Sequence, residues 1–167
     1  MSLFNNKVFS IKSACIIFAA LGIIEYAIRT QNTYSGIIDM RVGWKHIQGT
    51  QEKENVEFMK LFRILFDLHY VNYGLNILGS IISSSLLYGV ITEKKHFLSP
   101  SLYFFPLDVI LRTVLVIILL LLKIPDIDPI TTTVTHVITV LILNITWFVT
   151  IMFKQQIQRQ AEKEKNI

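Results

Sequence analysis

Four long apolar blocks, with most of the charged residues lying between them, constrain this chain more than any other feature. A soluble helix shows an apolar stripe and a polar face, whereas helices that are apolar all round belong to a membrane or a deep core. A chain of 167 residues with only 17% charged residues cannot bury four such cylinders in one soluble core. The blocks also lack the period-two alternation of barrel strands. The pattern predicts an all-α membrane protein, a four-transmembrane-helix bundle with a long first extracytosolic loop. The predicted spans cover about 9–29, 68–91, 102–122 and 131–153, each near the roughly 20 residues that cross a bilayer core. A basic tail follows at 154–167.

Between the spans, residues 31–67 read as a long loop of mixed charge, the last part of which, from Glu52, continues helically into the second span. Residues 92–101 read as a short turn and 123–129 as a tight turn carrying Pro125, Asp126, Asp128 and Pro129. Lys7, Lys12, Lys94, Lys95, Lys154, Arg159, Lys163 and Lys165 flank the ends that share a side with the termini. Of the bases on the other side, Arg41, Lys45 and Lys53 lie far from either span. The weighting of bases close to span ends therefore favours cytosolic termini. The sequon at Asn144 lies inside a span, and the lone Cys15 forms no intramolecular disulfide.

Ionisable groups in hydrocarbon need partners or a task. Glu25 and Arg29 are spaced i, i+4 near the outer end of the first span, and Asp108 and Arg112 share that spacing in the third. Both put the acid before the base, the favourable helical orientation. The plain reading is two structural ion pairs, and the competing one is an ion or proton path. On the second span His69, Asn72, Asn76, Gly79 and Ser83 form a polar stripe. On the fourth, Thr132, Thr135, Thr139 and Thr146 share a face with His136 beside them. Small and hydroxylated residues at this spacing usually mean close helix packing. Two separate histidines without a third ligand argue against zinc. No catalytic or phosphate-binding motif occurs, so neither an enzyme nor a cofactor is expected. No basic face interleaved with aromatics suggests nucleic acid.

The run Leu86-Leu87-Tyr88-Gly89, the basic turn at Glu93-Lys94-Lys95-His96 and the Leu98-Ser99-Pro100 entry into the third span carry a resemblance. So does Trp147-Phe148-Val149 near the end of the fourth. Together they resemble an insect family of small four-pass membrane proteins, largely of uncharacterised function, that includes the pasiflora and fire exit proteins. Since pasiflora proteins are septate-junction components, the resemblance implies a role at cell contacts.

The expected function is therefore a non-enzymatic structural or adaptor component, at junctions or in membrane traffic, with a small transporter or channel as the alternative. Its partners would be the lipid bilayer and other membrane proteins or itself. Tyr34, Ile37, Ile38 and Trp44 are the expected partner anchors of the first loop, since aromatic residues dominate binding surfaces. Lys163 and Lys165 resemble a dilysine retrieval signal. The location would be the plasma membrane or an endomembrane such as the endoplasmic reticulum or lysosome.

Overall fold

The computed structural model describes the backbone of residues 2–49, 56–121 and 128–165, and the side chains of 11–45, 59–121 and 128–163. The described residues form four helices: α1 (Ser2–Gly49), α2 (Val56–Thr92), α3 (Lys95–Leu121) and α4 (Pro129–Lys165). All four are long and apolar enough to cross a membrane, and the chain is an all-α, four-helix integral membrane protein. Of the stretch expected to be a loop, 31–49 is instead the end of α1, whereas 56–67 is the start of α2, as expected of the part that leads into the second span. Nothing in 31–49 breaks a helix. It lacks proline, and its glycines, Gly36, Gly43 and Gly49, cost too little individually to stop one already propagating. The connection itself, residues 50–55, and most of the Pro-Asp turn at 122–127 lie outside the described residues.

The chain divides into two compact units, Ile24–Ser80 and the remainder, Met1–Ile23 with Ile81–Ile167. Ile24–Ser80 is an antiparallel hairpin of α1 on α2. Its register is fixed by contacts at successive levels. The Tyr26 ring lies on Gly79, where an added Cβ would overlap it. Thr33 meets Asn76, Tyr34 meets the Tyr73 ring at 6.1 Å, and Trp44 stacks on Phe62 at 5.3 Å. Between the last two levels come Asp39 and Arg41 on α1 and Asp67 on α2. Both helices therefore become charged at the same height.

The second unit is a bundle of the first part of α1, the last part of α2, α3 and α4. Each helix buries a stripe at alternating steps of three and four: Cys15, Ala19 and Gly22 on α1; Ser83, Leu86 and Val90 on α2; Leu98, Ser101, Phe105, Asp108 and Arg112 on α3; Thr139, Leu143, Thr146, Thr150 and Phe153 on α4. This alternation suits helices crossing at shallow angles, about 20°. Gly22 and Gly89 let neighbours approach closely. An added Cβ would meet Ser83 Oγ at 2.9 Å in the first case and Phe97 Cβ at 2.8 Å in the second.

The ends of these helices are capped locally. At the end of α2, Lys94 N donates to Gly89 O at 3.1 Å across Glu93, whose φ of 57° is left-handed. This closure normally recruits glycine. Here the Glu93 carboxylate pairs with Lys12 Nζ at 2.6 Å, an exposed contact that offsets only part of a backbone cost of roughly 1–2 kcal/mol. Asp128 caps α4. It accepts from the Thr131 hydroxyl and from the Thr131 and Ile130 amides, which hold its carboxyl below the usual range.

Pro106 creates the principal backbone problem of α3. It has no N–H, so the Leu102 carbonyl one turn earlier loses its helical donor. In hydrocarbon such an orphan has no water to turn to. The Trp147 indole of α4 supplies the donor, with Nε1 2.9 Å from Leu102 O. Proline and tryptophan are thus a matched pair across two helices. Trp147→Phe should cost about 1–3 kcal/mol, the penalty of an unsatisfied buried carbonyl. Pro106→Ala restores the N–H, so in that background the same Trp147 substitution should cost much less. Unfolding of the four variants in mixed micelles checks this, and equal costs in both backgrounds would remove the coupling.

Candidate functional site

Most polar groups of the bundle unit are hydrogen-bonded, while the buried Ser83 Oγ and Gln156 Oε1 have no hydrogen-bond partner among the described residues. Arg112 Nε donates to Asp108 Oδ2 at 2.8 Å, one turn apart on α3. Asp108 is fully buried and Arg112 is 5% exposed, so both charges have left water. Asp108 lies roughly 20 Å along α3 from its start at Lys95, deep in the span. One turn beyond it, Thr113 donates its hydroxyl hydrogen to Val109 O at 2.7 Å. His136 Nε2, 3.1 Å from Thr113 Oγ1, is therefore left to donate to that oxygen. The α4 hydroxyls follow the same local habit: Thr139, Thr146 and Thr150 donate to the carbonyls of Thr135, Ile142 and Thr146 at 2.7–2.9 Å. Cys15 Sγ donates to Val149 O at 3.4 Å.

His136 and the half-buried Thr132 continue the buried α4 stripe, whereas Thr135 stands off it, with its side chain exposed. Thr132, His136, Thr139 and Leu143 advance by alternating steps of four and three along one face. Among the described residues no three His, Cys, Asp or Glu side chains gather in a way that could hold a metal.

In the hairpin, Arg29 reaches Glu25 through Nη2 at 2.8 Å and Nε at 3.1 Å, and both side chains are about a quarter exposed. Asn72 and Asn76 both donate to Thr33 Oγ1, at 3.4 and 3.2 Å, and Asn76 is fully buried. Thr33 is thus the receiving end of the α2 stripe. The reading of 31–67 as loop hid it, although its place one helical face on from Tyr26 was available. His69 Nδ1 donates to Leu65 O at 3.0 Å, and its ring fills the space beside Gly36.

The expected partner anchors separate on this helix. Tyr34 and Ile38 are exposed, whereas Ile37 is buried at 4% and Trp44 is half-buried on Phe62. Ile37 and Trp44 are therefore internal to the hairpin, because α1 continues where a loop was expected and turns them towards α2. Near this end, a groove of about 850 Å³ opens between α1 and α2. The sequence reading missed it, since it requires both segments to be helical. Lys163 is exposed near the end of α4, and the Lys165 side chain lies outside the described residues.

Removing one member of the Asp108–Arg112 pair should strand the other in a low-dielectric interior, at about 3–5 kcal/mol. Asp108→Leu and Arg112→Leu should each lower the folded yield sharply, and the double leucine variant should recover most of it. Size-exclusion yield in detergent is the readout. A double variant as poor as the two losses combined would show that each charge serves a different neighbour.

The chain matches no protein-family model, no curated protein and no solved structure.

Proposed function

We propose that this protein is a non-enzymatic four-pass membrane component that works by packing laterally against another membrane protein or a second copy of itself. The observation that carries this is Asn144. It sits on the exposed face of α4 between Leu141, Ile145 and Phe148, themselves 45–60% exposed. From Pro129 it lies roughly 22 Å along the helix, a mid-membrane depth. Its amide nitrogen donates to Val140 O at 2.8 Å, while its carbonyl oxygen has no partner among the described residues. A lipid-facing amide at that depth is costly alone and is satisfied by a neighbouring helix.

The local engagement of Asp108, Arg112 and the α4 threonines favours this static role over ion or proton movement. The resemblance to the pasiflora and fire exit group supports a site of action at cell contacts, with membrane traffic as the wider class. Both termini are proposed to be cytosolic, because Lys12, Lys94, Lys95 and Lys154 gather at one end of the bundle unit. There Lys12 pairs with Glu93 and Lys154 Nζ reaches Ser99 Oγ at 3.3 Å. The opposite membrane edge is proposed at the height of Ile38 and Leu68, just before Asp39, Arg41 and Asp67. From Ser13 to Ile38 is about 26 residues, or roughly 39 Å, enough for the hydrocarbon and part of the headgroups. On this proposal Glu25–Arg29 lies mid-span.

Asn144→Leu should weaken association by the worth of an interhelical hydrogen bond, about 0.6–2 kcal/mol, or roughly three- to thirtyfold. Energy transfer between donor- and acceptor-labelled copies in vesicles reads self-association, and co-purification from native membranes reads other partners. Asn144→Gln should retain most of the effect. Unchanged association and unchanged partner recovery in Asn144→Leu would contradict the proposal.

A further inference from the structure

The groove near the end of the α1–α2 hairpin has two chemistries. Its floor is apolar, formed by Ile38, Val42, Phe62 and Phe66, with Trp44 stacked on Phe62 at one side. Its lining also includes Arg41, Lys45, Lys60 and Arg63 against the single carboxylate of Asp67. All four cations are exposed, and among the described residues none is in an ion pair. Arg41 is steadied by Tyr70, whose hydroxyl accepts from its guanidinium and whose ring lies 5.9 Å from Arg41 Cζ. Lys45, Lys60 and Arg63 have no such internal use among the described residues. Like charges crowded around an apolar floor repel one another, so the cluster favours an occupant with a negative head and an apolar body.

We propose that this groove binds one anionic membrane lipid, its headgroup phosphate among Arg41, Lys45, Lys60 and Arg63 and an acyl chain along Ile38, Phe62 and Phe66. Ile38, at the proposed membrane edge, belongs to the floor, and Tyr34, 53% exposed, lies one turn further into the proposed span. Basic residues at a membrane surface attract anionic headgroups at about fivefold in affinity for each cation engaged. An acidic protein segment would also answer the charge, but the groove opens beside the proposed membrane edge at Ile38 and Leu68, at the level of lipid headgroups. The groove's lining residues do not include Asn144, so lipid binding and lateral association are read by different variants.

Trp44 is a built-in reporter. The other tryptophan is Trp147, whose loss Pro106→Ala is expected to offset, and the full-length Pro106→Ala/Trp147→Phe protein carries Trp44 alone. In vesicles of phosphatidylcholine containing brominated phosphatidylserine, Trp44 should be quenched at a mole fraction about fivefold or more lower than with brominated phosphatidylcholine. Lys60→Gln with Arg63→Gln should erase that preference, and Lys60→Arg with Arg63→Lys should keep it. Circular dichroism of each variant verifies that helix content is unchanged. If the tryptophan-reduced background fails to fold, native mass spectrometry of the wild-type chain and the same charge variants reads the same preference. Equal quenching or equal retention of both lipids would overturn the proposal, as would a preference that survives the glutamine changes. An acidic amphipathic peptide that shifts Trp44 emission while the lipids quench equally would assign the groove to a protein instead.

Discussion

In hydrocarbon every backbone polar group must find its partner inside the protein, because no water is there to receive it. The bond from Trp147 to the Leu102 carbonyl is where this chain meets that demand most visibly. Pro106 removes the carbonyl's own donor, and a residue 45 positions away replaces it. The repair requires α3 and α4 to keep a fixed register, since an indole nitrogen reaches a carbonyl only at hydrogen-bond distance. The Asp108–Arg112 pair and the Thr113–His136 contact lie further along α3 from that point. Their burial depends on the same packing.

Most buried side chains follow the rule that binds the backbone, with the Ser83 hydroxyl an exception among the described residues. Threonines return their hydroxyl hydrogens to their own helix, Asn72 and Asn76 converge on Thr33, and the two buried or half-buried acids meet arginines one turn later. The large exposed side chains of the spans are mostly Ile, Leu and Val, with Gln31, Asn32, Ser35, Ser84 and Thr135 among the exposed polar ones. Asn144 carries the functional reading because it is an amide at mid-membrane depth on such a face. Glu93 is a departure of another kind: it holds a conformation suited to glycine and keeps a carboxylate beside Lys12.

Much of this was legible in the sequence. Apolar blocks of span length announced four helices, and i, i+4 spacing brought the acids and bases into reach. The stripe from Asn72 to Ser83 could be read because it follows helical spacing within one helix. What could not be read depended on two segments at once. Trp147 looked like part of an aromatic run, because its partner is a backbone carbonyl with no sequence signature. Thr33, Ile37 and Trp44 were misplaced for a different reason. Mixed charge in 31–49 resembled a loop, but helix formation depends on the absence of breakers and on packing against α2, not on low polarity. Once that stretch is helical, the groove and its cationic lining follow.

In the proposed placement, the shared height at which α1 and α2 become charged marks the membrane edge, and with it the depth of Glu25–Arg29 and the level of the groove. The most direct measurement is a cysteine scan along the exposed face of α1, with Cys15 replaced by alanine and single cysteines at Ile24, Ile28, Ser35, Val42 and Lys45. A membrane-impermeant maleimide applied to the correct side of oriented vesicles should label positions 42 and 45 readily. It should label 35 slowly, and 24 and 28 not at all until detergent is added. All five positions are exposed on the protein, so protection there reports lipid rather than packing. Labelling at position 28 as fast as at 45 would place the membrane edge a full helical segment lower and contradict the account.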